Sequence, residues 1–252
     1  MELNYAMKTN GLPILSKDDI EELAARVLHS FAPSVLSHPK AVDIDMIAYD
    51  NLFLTVKNHR LSSDASILGI TVFNDIEERA DLNEYCNIDI ELPLPAGTIV
   101  IDSSLTSYNN QPRRRYTLAH ECAHWILHRT YHSPNNQQYK FRKQRLPYIV
   151  CRDTSIEIKR YTFTTDSDWL EWQADTLAAA LLMPYNTFKA YAQQYIYFDK
   201  RRYLSIVSYE YIEIIEDVAN RFKVSKRAAE IRLMNMGLII LDEPSRNNRQ
   251  YR

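Results

Sequence analysis

The chain has 252 residues, 46% of them hydrophobic and 25% charged, with a formal net charge of −2. That composition allows a sizeable core, argues against global disorder, and gives no overall bias toward nucleic acid or an anionic membrane surface. Cys86, Cys122 and Cys151 are far apart and form no CxxC pair, which points away from a disulfide framework or a cysteine zinc site and toward a reducing cytoplasm.

In chain order, residues 1 to about 15 read as an extended lead-in, with no basic region followed by an apolar run, so no signal peptide is expected. Ser16 and Asp19 form a capping-box pattern. Ile20, Leu23, Ala24, Val27, Leu28 and Phe31 then recur at helical spacing up to Pro33. A short helix is predicted near Asp43, with Ile44 and Ile47 inward. Leu52–Val56, Ile67–Phe73 and Gly97–Asp102 read as strands. Asn74–Glu84 reads as a solvated acidic loop. If the strand near Thr98–Asp102 lies at a sheet edge, it can pair with an extended peptide. No apolar run reaches membrane-spanning length, so no membrane association is expected.

The most informative stretch is Arg115-Tyr-Thr-Leu-Ala-His-Glu-Cys-Ala-His-Trp-Ile-Leu-His128. On a helix, His120 and His124 lie one turn apart and aim two imidazoles at one point, while Glu121 leaves at another angle and can reach a water there. The segment is apolar nearly all round, so it should be a core helix in which two histidines and a glutamate need partners. A metal supplies them. A catalytic zinc needs a third protein ligand. His128 lies roughly 12 Å along the helix from His120, too far to share an ion with it, and is expected in the last helical turn. His132 would need a sharp reversal with no glycine to permit it.

From Arg129 to Asp168 the chain reads as an irregular insertion, locally basic at Lys140, Arg142, Lys143, Arg145, Arg152, Lys159 and Arg160. It reads as a substrate-contacting flap, a nucleic-acid contact or a solvated insertion, and the last is preferred. Asp168 to Pro184 then reads as a second apolar helix ended by Pro184, with Glu171 and Asp175 one turn apart. If it crosses the first helix, Glu171 can be the third ligand and Asp175 can hydrogen-bond the free ring nitrogen of a ligand histidine. Otherwise both carboxylates lie on the surface of an amphipathic helix. Beyond Tyr185, helices are predicted up to Phe222 and from Ser225, the N-cap, to Gly237, burying Ala228, Ala229, Ile231 and Leu233. The pair resembles a helix-turn-helix in which Lys226, Arg227 and Arg232 could meet phosphates. The low net charge favours packing or substrate docking over direct DNA binding.

These elements describe an α+β fold: a small, mostly antiparallel sheet packed on the buried H-E-x-x-H helix and a second ligand-bearing helix. The expected organisation is a zincin-like metallopeptidase domain over 1–190 (with the insertion at 129–167), a C-terminal helical extension over 191–241, and a flexible tail over 242–252. The chain resembles the ImmA/IrrE family of metallo-endopeptidases through Arg115–His128, through Glu171-Trp-Gln-Ala-Asp-Thr-Leu-Ala-Ala-Ala-Leu-Leu-Met-Pro184, and through Arg221–Leu233 followed by Gly237-Leu-Ile. The resemblance implies one Zn²⁺ held by His120, His124 and Glu171, with Glu121 as catalytic acid and base. It also implies an intracellular regulatory protein as substrate, such as a repressor of a mobile element or stress response. Cys122-Ala123 stands where Leu-Gly is more usual, and Asp175 where asparagine is common. The competing readings are a DNA-binding regulator with a structural metal and a peptidase-like module that binds without cutting. Neither needs a base such as Glu121 beside the metal.

Overall fold

The computed structural model describes residues 5–78, 92–133, 146–152, 161–194 and 209–239. Among these, seven helices and four strands are present: α1 Lys17–Phe31, α2 Ile44–Met46, β1 Thr55–His59, β2 Ile67–Val72, β3 Thr98–Asp102, α3 Gln111–His132, β4 Tyr148–Arg152, α4 Asp166–Leu182, α5 Tyr185–Ala192, α6 Tyr209–Phe222 and α7 Lys226–Asn235. The positions Lys140, Arg142, Lys143, Arg145, Lys159 and Arg160, residues 79–84 of the acidic stretch and the tail 242–252 lie outside the described residues. No described helix is long and apolar enough to cross a membrane.

The capping signals work as the sequence implies. Ser16 accepts from the Asp19 amide, and Asp19 returns the bond to the Ser16 amide. Thr165 and Asp168 form the same reciprocal pair at the start of α4. Such pairs satisfy main-chain donors that a helix N-terminus otherwise leaves open. Ser225 caps α7 by accepting from the Ala228 amide.

The sheet runs β1-β3-β2-β4, with β1 parallel to β3 and the other two pairings antiparallel. It is therefore mixed, two of its three pairings being antiparallel. The strand at Thr98–Asp102 is interior, flanked by β1 and β2, so the condition for peptide pairing there is not met. All five of its residues are buried, and both rows of its main-chain groups are engaged. The outer strand on the β2 side is β4, a strand inside the stretch read as irregular.

Another correction concerns Leu52–Val56. Pairing starts at Thr55, because the Leu54 amide still bonds to Ala48 O and Phe53 turns through a left-handed conformation (φ 56°) with its ring 84% exposed. An apolar run at a helix exit mimics a strand. On α7, Ala229 and Leu233 are buried as expected, whereas Ala228 and Ile231 are half-buried and Arg232 takes an inward position.

The sheet has apolar material on both faces. Ile70, Val72, Val100 and Tyr148 join Leu61, Ile76 and Leu94 on one side. On the other, Ile99 and Ile101 join the main core, which contains α1, α3, α4 and the inner faces of α6 and α7. Within that core α3 packs on α4. Ala119 and Ala123 on α3 and Ala174 and Ala178 on α4 are fully buried, and side chains this small let two helix backbones approach closely.

Candidate metal centre

The α3–α4 packing brings His120, His124 and Glu171 together. Their nearest ligand atoms all lie within 4.8 Å of one another. The two Nε2 atoms are 2.9 Å apart, and the Glu171 oxygens lie 3.5 Å from His120 Nε2 and 3.4 Å from His124 Nε2. A tetrahedral ion with bonds near 2 Å holds its ligand atoms roughly 3.3 Å apart, so the separations fit one small divalent ion. The histidines are buried, and the Glu171 side chain is 24% exposed. Burial alone would raise the Glu171 carboxyl, but the His120 and His124 imidazoles beside it hold it well below the usual carboxylate range.

Asp175 lies one turn beyond Glu171, and its Oδ1 is 2.9 Å from His120 Nδ1. An ionised carboxylate only accepts, so His120 carries a proton on Nδ1, which leaves Nε2 as the atom that can ligate an ion. The Asp175 carboxylate also accepts from the Tyr161 hydroxyl. Its main-chain oxygen accepts from Tyr116 at 3.3 Å.

Glu121 points toward the sheet beside the cluster. Thr71 on β2 donates to its Oε2 at 2.5 Å and reaches its main-chain oxygen at 3.1 Å. Its Oε1 is buried with no hydrogen-bond partner among the described residues, an atom placed to accept a proton that the fold does not itself supply. A Cβ built on Gly69 would lie 2.4 Å from that oxygen, so β2 can host the carboxylate there only with a residue lacking a side chain. Burial pushes the Glu121 carboxyl up to about 7, with His120 and Thr71 pulling it down and Glu171 adding to the rise.

His128 departs from expectation. Helix α3 continues to His132, so His128 is not in the last turn near free carbonyls. It is fully buried, its Nδ1 is 2.9 Å from His124 Nδ1, and its Nε2 is 3.0 Å from Gln173 Oε1. Burial, with His124 close by, drives its pKa well below the ordinary histidine value. The distance argument against His128 as a ligand agrees with the cluster, which does not include it.

Sequence reasoning passed over several neighbours of the site. The i, i+4, i+8 spacing of His120, His124 and His128 was a visible sign that all three share a helix face. Thr71 and Gly69 carried no such sign, because their role depends on which sheet face meets α3. Cys151 on β4 has its sulfur within 4.8 Å of ligand atoms of both His120 and Glu121. Burial raises its thiol pKa, against the pull of His120.

The basic residues of the C-terminal helix pair have acidic partners. Lys226 pairs with Glu216 at 3.0 Å and Arg227 with Glu230. Arg232 is 3% exposed, pairs with both oxygens of Glu21 on α1, and donates to Met183 O. It is a core residue, which takes it out of the set of three cations that could meet phosphates and agrees with the preference for packing.

Comparison of the chain with curated proteins gives no match. The family model described as IrrE N-terminal-like domain, of peptidase family M78, matches residues 67–234, a span that contains α3, α4 and the whole cluster. On that match, and with the donor set its helices bring together, the chain belongs to the ImmA/IrrE family of metallopeptidases.

Proposed function

We propose that the protein is a zinc-dependent endopeptidase in which His120, His124 and Glu171 hold one Zn²⁺ per chain and Glu121 is the catalytic acid and base. The observation that carries this reading is the convergence of three ligand atoms beside a buried carboxylate with an unpartnered oxygen. These three residues would hold the ion, which when bound would supply Lewis acidity to a water and to the scissile carbonyl. Glu121 takes the proton of the attacking water and delivers it to the leaving amine, a task suited to a carboxyl whose pKa lies near 7. Thr71 and Gly69 fix its direction, and Asp175 fixes the His120 tautomer.

Cys151 brings β4 beside His120 and Glu121, so this strand borders the site. The preferred substrate class is a cytoplasmic regulatory protein such as a repressor of a mobile element or stress response, which would give the enzyme a part in transcription regulation. In this reading residues 1–190 are the metallopeptidase unit and 191–241 a helical extension. The burial of Arg232 weighs against direct DNA binding by that extension.

Co-expression with a neighbouring repressor-like protein should yield a specific fragment with the wild type and none with Glu121→Gln, while both retain zinc by elemental analysis. Fragment formation by Glu121→Gln would refute the assigned base. Glu171→Ala should instead lose zinc occupancy.

A further inference from the structure

The two histidines of the cluster are supported differently. His120 leans on a carboxylate, whereas His124 leans on a neutral chain that can be followed to its end. Gln173 Nε2 is 2.8 Å from Pro13 O. A carbonyl can only accept, so this contact fixes the amide with its NH₂ toward Pro13 and its oxygen toward His128. Gln173 Oε1, 3.0 Å from His128 Nε2, then requires the His128 proton on Nε2. His128 Nδ1 is left as an acceptor, 2.9 Å from His124 Nδ1. The His124 proton therefore sits on Nδ1, and Nε2 is bare toward Glu171 and His120. Every step has one consistent direction, and His124, His128 and Gln173 are all 0% exposed, so water does not compete for these bonds.

The anchor is itself held in place. Pro13 bridges Met7, and the Leu12 amide bonds to Asn10 Oδ1. Asn10 donates to Asp166 Oδ2 at 2.6 Å, and Lys8 pairs with Asp166 at 3.2 Å. The N-terminal segment is thus tied to α4 at its first turn and again at Gln173. It lies upstream of the family match at 67–234.

We propose that His128 and Gln173 are positioning residues for the metal ligand His124, and that the main-chain carbonyl of Pro13 sets the tautomer of the whole chain. The N-terminal segment is thereby a working part of the metal centre. This rests on the reading of His120, His124 and Glu171 as ligands. Partners of this kind typically contribute about 10- to 100-fold in metal affinity.

The test uses the full-length chain, ¹⁵N-labelled at histidine and loaded with Zn²⁺. Two-bond ¹H–¹⁵N correlation spectra should show His124 protonated at Nδ1 and His128 at Nε2. A chelator-competition titration of Gln173→Leu should show zinc affinity lowered about 10- to 100-fold, with the far-ultraviolet circular dichroism of the wild type. His128 protonated at Nδ1 in the wild type, or undiminished affinity in a folded Gln173→Leu, would overturn the proposal. If Gln173→Leu does not fold, the wild-type spectrum decides. A wild type that fails to bind zinc at all would instead sink the metal site on which the chain depends.

Discussion

At the scale of single residues, the site turns on how a carboxylate is kept inside the fold. Gly69 leaves room for Glu121 Oε1, and a methyl group there would overlap it at 2.4 Å. Gly69→Ala should displace the carboxylate, lowering peptidase turnover far more than zinc content, at a stability cost of about 1–3 kcal/mol. Peptidase assays beside elemental analysis check this, and unchanged turnover would count against the placement. Glu121 also gives the metal-free protein a pH signature. Its carboxyl rises from 4.5 to about 7 on folding, so the folded state holds this proton more tightly than the unfolded state. The resulting stabilisation, about 3 kcal/mol at most, is fully present below pH 4.5 and is lost as pH rises through 7. Denaturant titrations in chelator should show wild type losing stability relative to Glu121→Gln across that window. His120, His124, Glu121, Glu171 and Asp175 were all legible as candidates, because polar residues on apolar helices stand out. Gly69 and Thr71 were not, since nothing local in β2 says that it faces α3.

At the scale of elements, helices read well wherever caps and periodicity agreed, as at Ser16 and Ser225. Strands read less well. Leu52–Leu54 looked like a strand but completes a helix exit. Tyr148–Arg152 was hidden by its basic surroundings, although its five residues carry the aromatic and β-branched character of a strand. The C-terminal helix pair shows how tertiary context changes the meaning of a cation. Arg232 docks α7 onto Glu21 of α1 and the end of α4. Arg232→Ala should destabilise the protein by about 3–5 kcal/mol, because it leaves a largely buried carboxylate unpaired, and removing Glu21 as well should recover part of that loss. Chemical denaturation of the two single variants and the double variant measures the coupling. Additive effects would show that the pair does not act as a unit.

At the scale of the whole molecule, the ligand candidates come from two helices far apart in sequence, so an ion held between them would act as a cross-link. Zinc at about a thousandfold excess over its dissociation constant should add about 4 kcal/mol, a rise in Tm on the order of 10 °C for a chain of this size. Thermal melts with and without chelator measure it, and equal Tm values would mean that the two helices hold no ion between them. The sequence by itself determined the residue types that can bind an ion, their spacing along each helix and the caps that start those helices, because these depend on neighbours within a few positions. The tertiary structure decided that Glu171 meets both imidazoles, that β4 rather than β3 is an outer strand, that Arg232 turns inward, and that Pro13 closes the chain behind His124. Each of these is a contact between residues far apart in sequence, fixed by how the apolar faces of helices and sheet come together and not by any local pattern.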